Sequence, residues 1–344
     1  MGVIAVAAAA ALSLAGCNRG PEPATDGSLL AATHVAILRD GASPARQVAF
    51  SHDSSLFATT NADGHVVVHR VSDRRVVATL MHANGATSVA FGPDDRWLAT
   101  GGYDGVVRTW RVADGAAIRT YAGHVGTVWT VDVSPDGAQI ASAGEDRKIR
   151  IWNVSDGRQA RTLHGHSLNI WQVRFSSNGR QLASGSFDKN IKLWDVASGR
   201  LLRDLVGHEE AVVGLDFSAD GRWLASGSDD STIRIWRVAD GRLVRTLDNH
   251  NHVYSIAFSG DGQWLAAGGR ARGAVGTFWH QLTGAGADSE AISLWRVVDG
   301  ALVQRLKLAD DASSVALSAD GHWLAAADEN GETGLWRLSE RSRR

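Results

Sequence analysis

An all-β chain, with seven repeated four-stranded units closed in a ring as a β-propeller, is what the sequence predicts, and three observations predict it. Tryptophan recurs in one phrase: "VVRTWRV" at Trp110, "IRIWNV" at Trp152, "IKLWDV" at Trp194, "IRIWRV" at Trp236, "ISLWRV" at Trp295 and "TGLWRL" at Trp336. The spacing is nearly constant except between Trp236 and Trp295, where extra chain is inserted, and "VVVHRV" places His69 one further period before Trp110. Each unit also holds four short runs of period-two alternation rich in β-branched and aromatic residues. In the fourth they are "IWQVRFS", "QLASGS", "NIKLWDV" and "LLRDLV". Finally, the runs are parted by "SPDG", "SADG", "VADG" and "VSDG", whose Asp-Gly pairs supply the positive φ of tight hairpins. Four-stranded meanders at this period indicate propeller blades.

The ends of the repeat region decide how the ring shuts. The last unit, ending "TGLWRLSERSRR", supplies three strands, and an unclaimed run, "HVAIL" (His34 to Leu38), precedes the first. That run is expected to pair as the outer strand of the seventh blade, because an open ring would leave sheet edges bare. The organisation read from the sequence is therefore 1–16 signal, 17–33 lipidated cysteine and tether, 34–338 propeller and 339–344 tail.

Bulk composition excludes some functions. The chain has 344 residues and a formal net charge of −2. Nothing in that balance would draw it to nucleic acid or to an anionic membrane surface. It has a single cysteine, so an internal disulfide is impossible.

That cysteine closes an apolar run. Val3 to Gly16, "VIAVAAAAALSLAG", is uncharged and too short to span a bilayer as a mature helix, but it has the length of a secretory signal core. It ends in "LAGC", with Cys17 last, and resembles the bacterial lipobox, in which the cysteine receives a diacylglycerol and the chain is cut just before it. "MGVI" carries no Lys or Arg where such signals place positive charge. The following "NRGPEPATDGS" reads as a flexible tether. The resemblance implies a bacterial cell-envelope protein anchored through Cys17. Asn18 is not the aspartate associated with inner-membrane retention. The alternative is a cytoplasmic protein whose N-terminus only resembles a signal.

From about residue 34 to 338 the chain resembles a WD-repeat propeller. Gly-His, which opens repeats of that family, stands at Gly123-His124, Gly165-His166 and Gly207-His208; the closing Trp-Asp is literal at Trp194-Asp195. A quartet recurs: His82, Thr100, Asp104 and Trp110; His124, Ser142, Asp146 and Trp152; His166, Ser184, Asp188 and Trp194; His208, Ser226, Asp230 and Trp236. Its His, Ser and Asp are the types of a hydrolase triad, but a triad is needed once. Four copies imply structural work, and the resemblance implies a hydrogen-bonded tetrad within each blade. The quartet decays elsewhere. The sixth unit keeps His250 and Trp295 but has Ala267. The seventh has Ala326, Asn330 and Trp336 without a histidine, and the first has Thr59 and Asp63 with His69 for tryptophan. Blades two to five are thus expected to be the rigid arc.

Outside the repeat no nucleophile, phosphate loop or metal-spaced Cys/His set stands apart, so neither enzyme activity nor a cofactor is expected. "HNH" (His250 to His252) is read as structural, since His250 belongs to a tetrad. Asp132, Arg174 and Asp216 occupy equivalent positions with alternating sign and are expected to form an inter-blade ion-pair ladder, the alternative being a ligand-binding charge in the channel.

The expected function is that of a monomeric scaffold holding a protein or peptide on its top face, with a channel enzyme or small-molecule binder as the rival. Trp129, Trp171 and, by alignment, Tyr254 should lie near the channel mouth, with Tyr103 and Phe187 just before tetrad aspartates; Asp229 occupies the same place in the fifth unit. Aromatics among polar groups are typical of binding hot spots. The long insertion Gly268 to Ala291, with Trp279 in "FWH", is expected on the same face.

Overall fold

A computed structural model describes residues 29–41, 43–270 and 289–341. Among them run twenty-eight strands, numbered β1 to β28 in chain order, in seven antiparallel four-stranded sheets. Blade four shows the plan. The strands β14 (Ile170–Phe175), β15 (Gln181–Ser186), β16 (Ile191–Asp195) and β17 (Leu201–Leu205) lie in that order from the ring axis outward. The Gly-containing turns sit in the left-handed region as the Asp-Gly pattern requires.

The seventh blade has the order β1 (Leu29–Arg39), β28 (Glu332–Arg341), β27 (Trp323–Asp328), β26 (Ala312–Leu317), so the N-terminal strand closes the ring. The clasp is longer than "HVAIL". It begins at Leu29, within the stretch read as tether, and pairs through Leu29↔Arg341 to Arg39↔Glu332, taking β28 into the stretch read as tail. Leu30 is buried against Leu306, Leu308 and Trp336, which makes the extra length apolar contact rather than bare edge.

Seven apolar clusters hold the ring, one at each junction between consecutive blades. Between blades three and four, for example, Ile149, Ile151 and Leu163 pack on Ile170, Val173, Leu182 and Trp194. At five junctions an uncharged Gln, Ser or Thr side chain on the inner strand also accepts the neighbouring strand's backbone N–H. Gln47 takes Val89 N at 2.9 Å and Ser88 takes Val131 N at 2.9 Å. Thr130 takes Val173 N, Ser255 takes Val315 N and Ser314 takes Val48 N. On the rim, Arg203 donates to the Ala239 carbonyl at 2.6 Å and Arg245 to that of Val298 at 3.1 Å. Gly241, at φ 74°, leaves room for this strap, because a Cβ there would come within 2.9 Å of Arg203 Cδ.

The recurring quartets are hydrogen-bonded chains inside blades two to five. In blade four His166 Nδ1 lies 2.8 Å from Asp188 and Nε2 lies 2.7 Å from Ser184 Oγ, which accepts Trp194 Nε1–H at 2.9 Å. Blades three and five repeat this through His124, Ser142, Asp146 and Trp152, and through His208, Ser226, Asp230 and Trp236. In blade two the ring of His82 is turned: Nδ1 meets Thr100, which accepts from Trp110, and Nε2 faces Asp104 at 3.2 Å.

The other three blades differ from the sequence reading in detail. His250 is not a tetrad histidine. It stands one place nearer to Ala267 than each tetrad histidine stands to its hydroxyl residue, so it falls on the turn at φ 65° and pairs with Asp248 in solvent. The tetrad position itself holds the buried Asn249. With no hydroxyl at 267, the Trp295 indole N–H has no partner among the described residues. In blade one Asp63 serves His65 instead, and Asp40, from the end of the clasp, replaces it, bonding both Thr59 Oγ1 at 2.7 Å and His69 Nε2 at 2.8 Å. In blade seven Trp336 packs edge-on to His34 of the clasp, while Asn330 is exposed.

Candidate binding site at the mouth of the ring

The inner strand of every blade carries a register shift at its second residue or, in the sixth, its third. These strands are β2 (Ala45–Phe50), β6 (Ala86–Phe91), β10 (Val128–Val133), β14, β18 (Val212–Phe217), β22 (His252–Phe258) and β26. A bulge re-aims the side chain it displaces. Here the displaced residues are Arg46, Thr87, Trp129, Trp171, Val213, Tyr254 and Ser313, and all seven line one cavity of about 450 Å³ at the ring axis.

A second tier comes from the residue that follows each second strand's last pairing, just before the tetrad-aspartate position. Tyr103, Phe187, Asp229 and Glu329 from this tier line the same cavity. The cavity therefore opens on the face that carries the tetrad histidine and aspartate turns. Its two tiers make an uneven wall. On blades two to four Tyr103 meets Trp129 edge-on at 5.8 Å, Trp129 stacks on Trp171 at 4.8 Å, and Trp171 stacks on Phe187 at 5.4 Å. On blades five to seven and one the wall is polar: Asp229, Tyr254, Glu329 and Arg46. Arg270 stands behind Tyr254 and lies 3.5 Å from Asp311.

The expected ladder of Asp132, Arg174 and Asp216 is not a set of contacts: among the described residues no ion pair joins them. Inner strands run side by side, and the carboxylates instead capture backbone across the blade junctions. Asp132 accepts Phe175 N–H at 2.6 Å and Asp216 accepts Phe258 N–H at 2.7 Å. Arg174 turns toward the cavity and donates to the Val173 carbonyl at 3.1 Å and, with the amide oxygen of Gln172 facing it, to that oxygen at 2.6 and 2.7 Å. Burial pushes Asp132 upward and Asp216 up to about 6, although the Arg174 charge opposes both shifts.

Of the six residues singled out from the sequence for partner contact, the structure brings five together: Tyr103, Trp129, Trp171, Phe187 and Tyr254. Trp279 lies outside the described residues, as does most of the insertion around it; Gly268 to Arg270 and Ser289 to Ala291 are strand. Sequence reasoning passed over Arg46, Thr87, Val213 and Ser313. Their signal was present nonetheless: each precedes its blade's tetrad Ser/Thr, or the Ala that replaces it, by the same interval at which Trp129 precedes Ser142.

The tetrads themselves offer no chemistry to a ligand. Ser142, Ser184 and Ser226 are fully buried, and each hydroxyl is already engaged on both sides. Burial alone would raise Asp188, but the His166 hydrogen bond holds it below the usual carboxylate range. Burial and the neighbouring Arg108 charge lower His82, which keeps that ring neutral.

A family model described as WD40, "WD domain, G-beta repeat", matches residues 74–111, 115–153, 157–195, 199–237 and 241–272. No curated protein matches the chain.

Proposed function

The chain belongs to the WD-repeat family, and from that premise we propose that it is a non-enzymatic scaffold whose top-face mouth holds a protein or peptide partner. One observation carries the reading: a bulge repeated in all seven blades turns seven side chains into one cavity, and the aromatic ones gather on one wall. Large, rigid aromatics in a concave, partly polar setting supply contact area at little entropic cost, which is how interface hot spots are built.

Trp129→Ala combined with Trp171→Ala removes the centre of that wall. Cross-linked pull-downs from solubilised membranes are expected to lose the species that wild type captures, while the melting temperature stays within about 5 °C. Capture that survives the double change removes the mouth from recognition.

The same reading places the protein at the bacterial envelope, lipid-anchored through Cys17, with the propeller held off the membrane by its tether. The support is the apolar "VIAVAAAAALSLAG" running into "LAGC" and the chain's one cysteine. Metabolic labelling with a radioactive fatty acid is expected to mark the wild type and to leave Cys17→Ser dark. An unlabelled wild type rejects the anchor.

A further inference from the structure

We infer that the occupant of the mouth is a basic peptide segment, with a Lys or Arg side chain meeting Asp229 and Glu329 and its backbone carbonyls meeting Arg46 and Trp129. This rests on the reading of the mouth as the recognition site and adds the chemistry of what enters it.

Three polar atoms around the cavity are buried without a hydrogen-bond partner among the described residues: Arg46 Nε, Trp129 Nε1 and Asp229 Oδ1. Buried orphans of this kind are costly unless something completes them. Two are donors on blades one and three, and one is an acceptor on blade five. A ligand satisfying all three brings acceptors to blades one and three and a donor to blade five. An extended peptide does this with its carbonyls and a cationic side chain.

The cavity is lined by Arg46 and Arg174 as well as by Asp229 and Glu329, so the sign of that side chain is set by the blades it reaches, and on blades five and seven these are the carboxylates. Among the described residues neither Asp229 nor Glu329 accepts a side-chain hydrogen bond, and His252 Nδ1 stands 3.7 Å from Asp229 Oδ1, beyond hydrogen-bond reach. Arg270 lies on the blade between them, bonded to the Tyr254 phenol and 3.5 Å from Asp311, and it also feels the Glu329 charge. Blade five also carries Glu209, Glu210, which pairs with Lys189 at 3.5 Å, and Asp230, which is bonded to His208. Burial raises Asp229; His252 and Arg270 oppose that shift while Glu210 and Asp230 reinforce it. Phe187, with Trp171 stacked on it, lines the same cavity from the neighbouring blade. An aliphatic stem or a guanidinium plane packs on such rings while its charge reaches the carboxylates.

Phage-displayed random twelve-residue peptides panned on the whole chain test this. Enriched clones are expected to carry Lys or Arg, and a fluorescein-labelled peptide from the best clone is expected to bind with a Kd that rises about tenfold on Asp229→Asn. Asp229→Arg abolishes its binding, and both variants retain the wild-type melting curve. No enrichment, an acidic or neutral consensus, or indifference to Asp229→Arg overturns the basic occupant. Clones of the wrong charge that still fail on the Trp129→Ala, Trp171→Ala variant leave the mouth as the recognition site and reject only its chemistry. Clones that bind that variant unimpaired reject both.

Discussion

Ser184→Ala lowers the unfolding free energy by about 3 kcal/mol, more than the loss of one hydroxyl in a solvated position would. The proton order in blade four explains the size. Asp188 accepts from His166 Nδ1–H, His166 Nε2 accepts from the Ser184 hydroxyl, and Ser184 Oγ accepts from Trp194 Nε1–H. Removing Oγ therefore strands two groups, not one, in a site where the serine is fully buried and the indole nearly so. Each stranded group costs about 1–3 kcal/mol in desolvation that nothing offsets. The reverse substitution exists in the molecule as a natural contrast. Blade six has Ala267 and an unpartnered Trp295 N–H, so Ala267→Ser is expected to add about 1 kcal/mol. Urea denaturation with an unchanged m-value checks both signs. A Ser184→Ala protein as stable as wild type would mean that the quartets are incidental.

How much of this was readable in advance depended on spacing. The intervals that tie His166, Asp188 and Trp194 to Ser184 recur without error in blades two to five, and there the chain reads almost as a diagram. The clasp was legible because one strand was missing at one end and spare at the other. Reading by residue type misled where type and offset disagreed. His250 attracted attention as a histidine although it stands one place off, and Asn249 takes the buried position. Asp63 looked like the acid of blade one, yet Asp40 fills that role from the clasp, far enough from His69 in the chain that local pattern does not reveal the contact. The mouth was half-read for a related reason. Period-two alternation says which face a side chain takes, and a bulge breaks that period, so only its aromatic members stood out. Charges such as Asp132 and Asp216 looked destined for Arg174. In the ring, backbone N–H groups of the adjoining blade lie closer.

Asp328→Asn is expected to stabilise the protein at pH 8 and to lose that advantage as the pH falls. Asp328 ends the second strand of the closing blade with no exposed surface. Its Oδ1 accepts the backbone N–H groups of Asn330 at 3.0 Å and Glu332 at 2.8 Å, while Oδ2 has no partner among the described residues. Burial, then the Glu332 and Asp310 charges, push the carboxyl up to about 6 from 3.8. Arg39 of the clasp is engaged by Glu332 rather than by Asp328. The sign follows from proton counting. With the folded pKa above the unfolded one, the native state binds the proton more tightly, so stability falls as pH rises from about 4 to about 6 and stays reduced above. Two pKa units correspond to about 3 kcal/mol as an upper bound. Asparagine keeps the Oδ1 acceptor, carries no charge to desolvate and turns an N–H₂ toward Glu332. The variant should therefore gain about 1–3 kcal/mol at pH 8 and nothing near pH 4, measured by denaturant unfolding across that range. A gain that is independent of pH would assign the effect to packing, and a loss at pH 8 would mean that the buried carboxylate is held by a partner at the clasp. Since the ring has a single closure, the local change should appear in the global transition rather than as fraying of one blade.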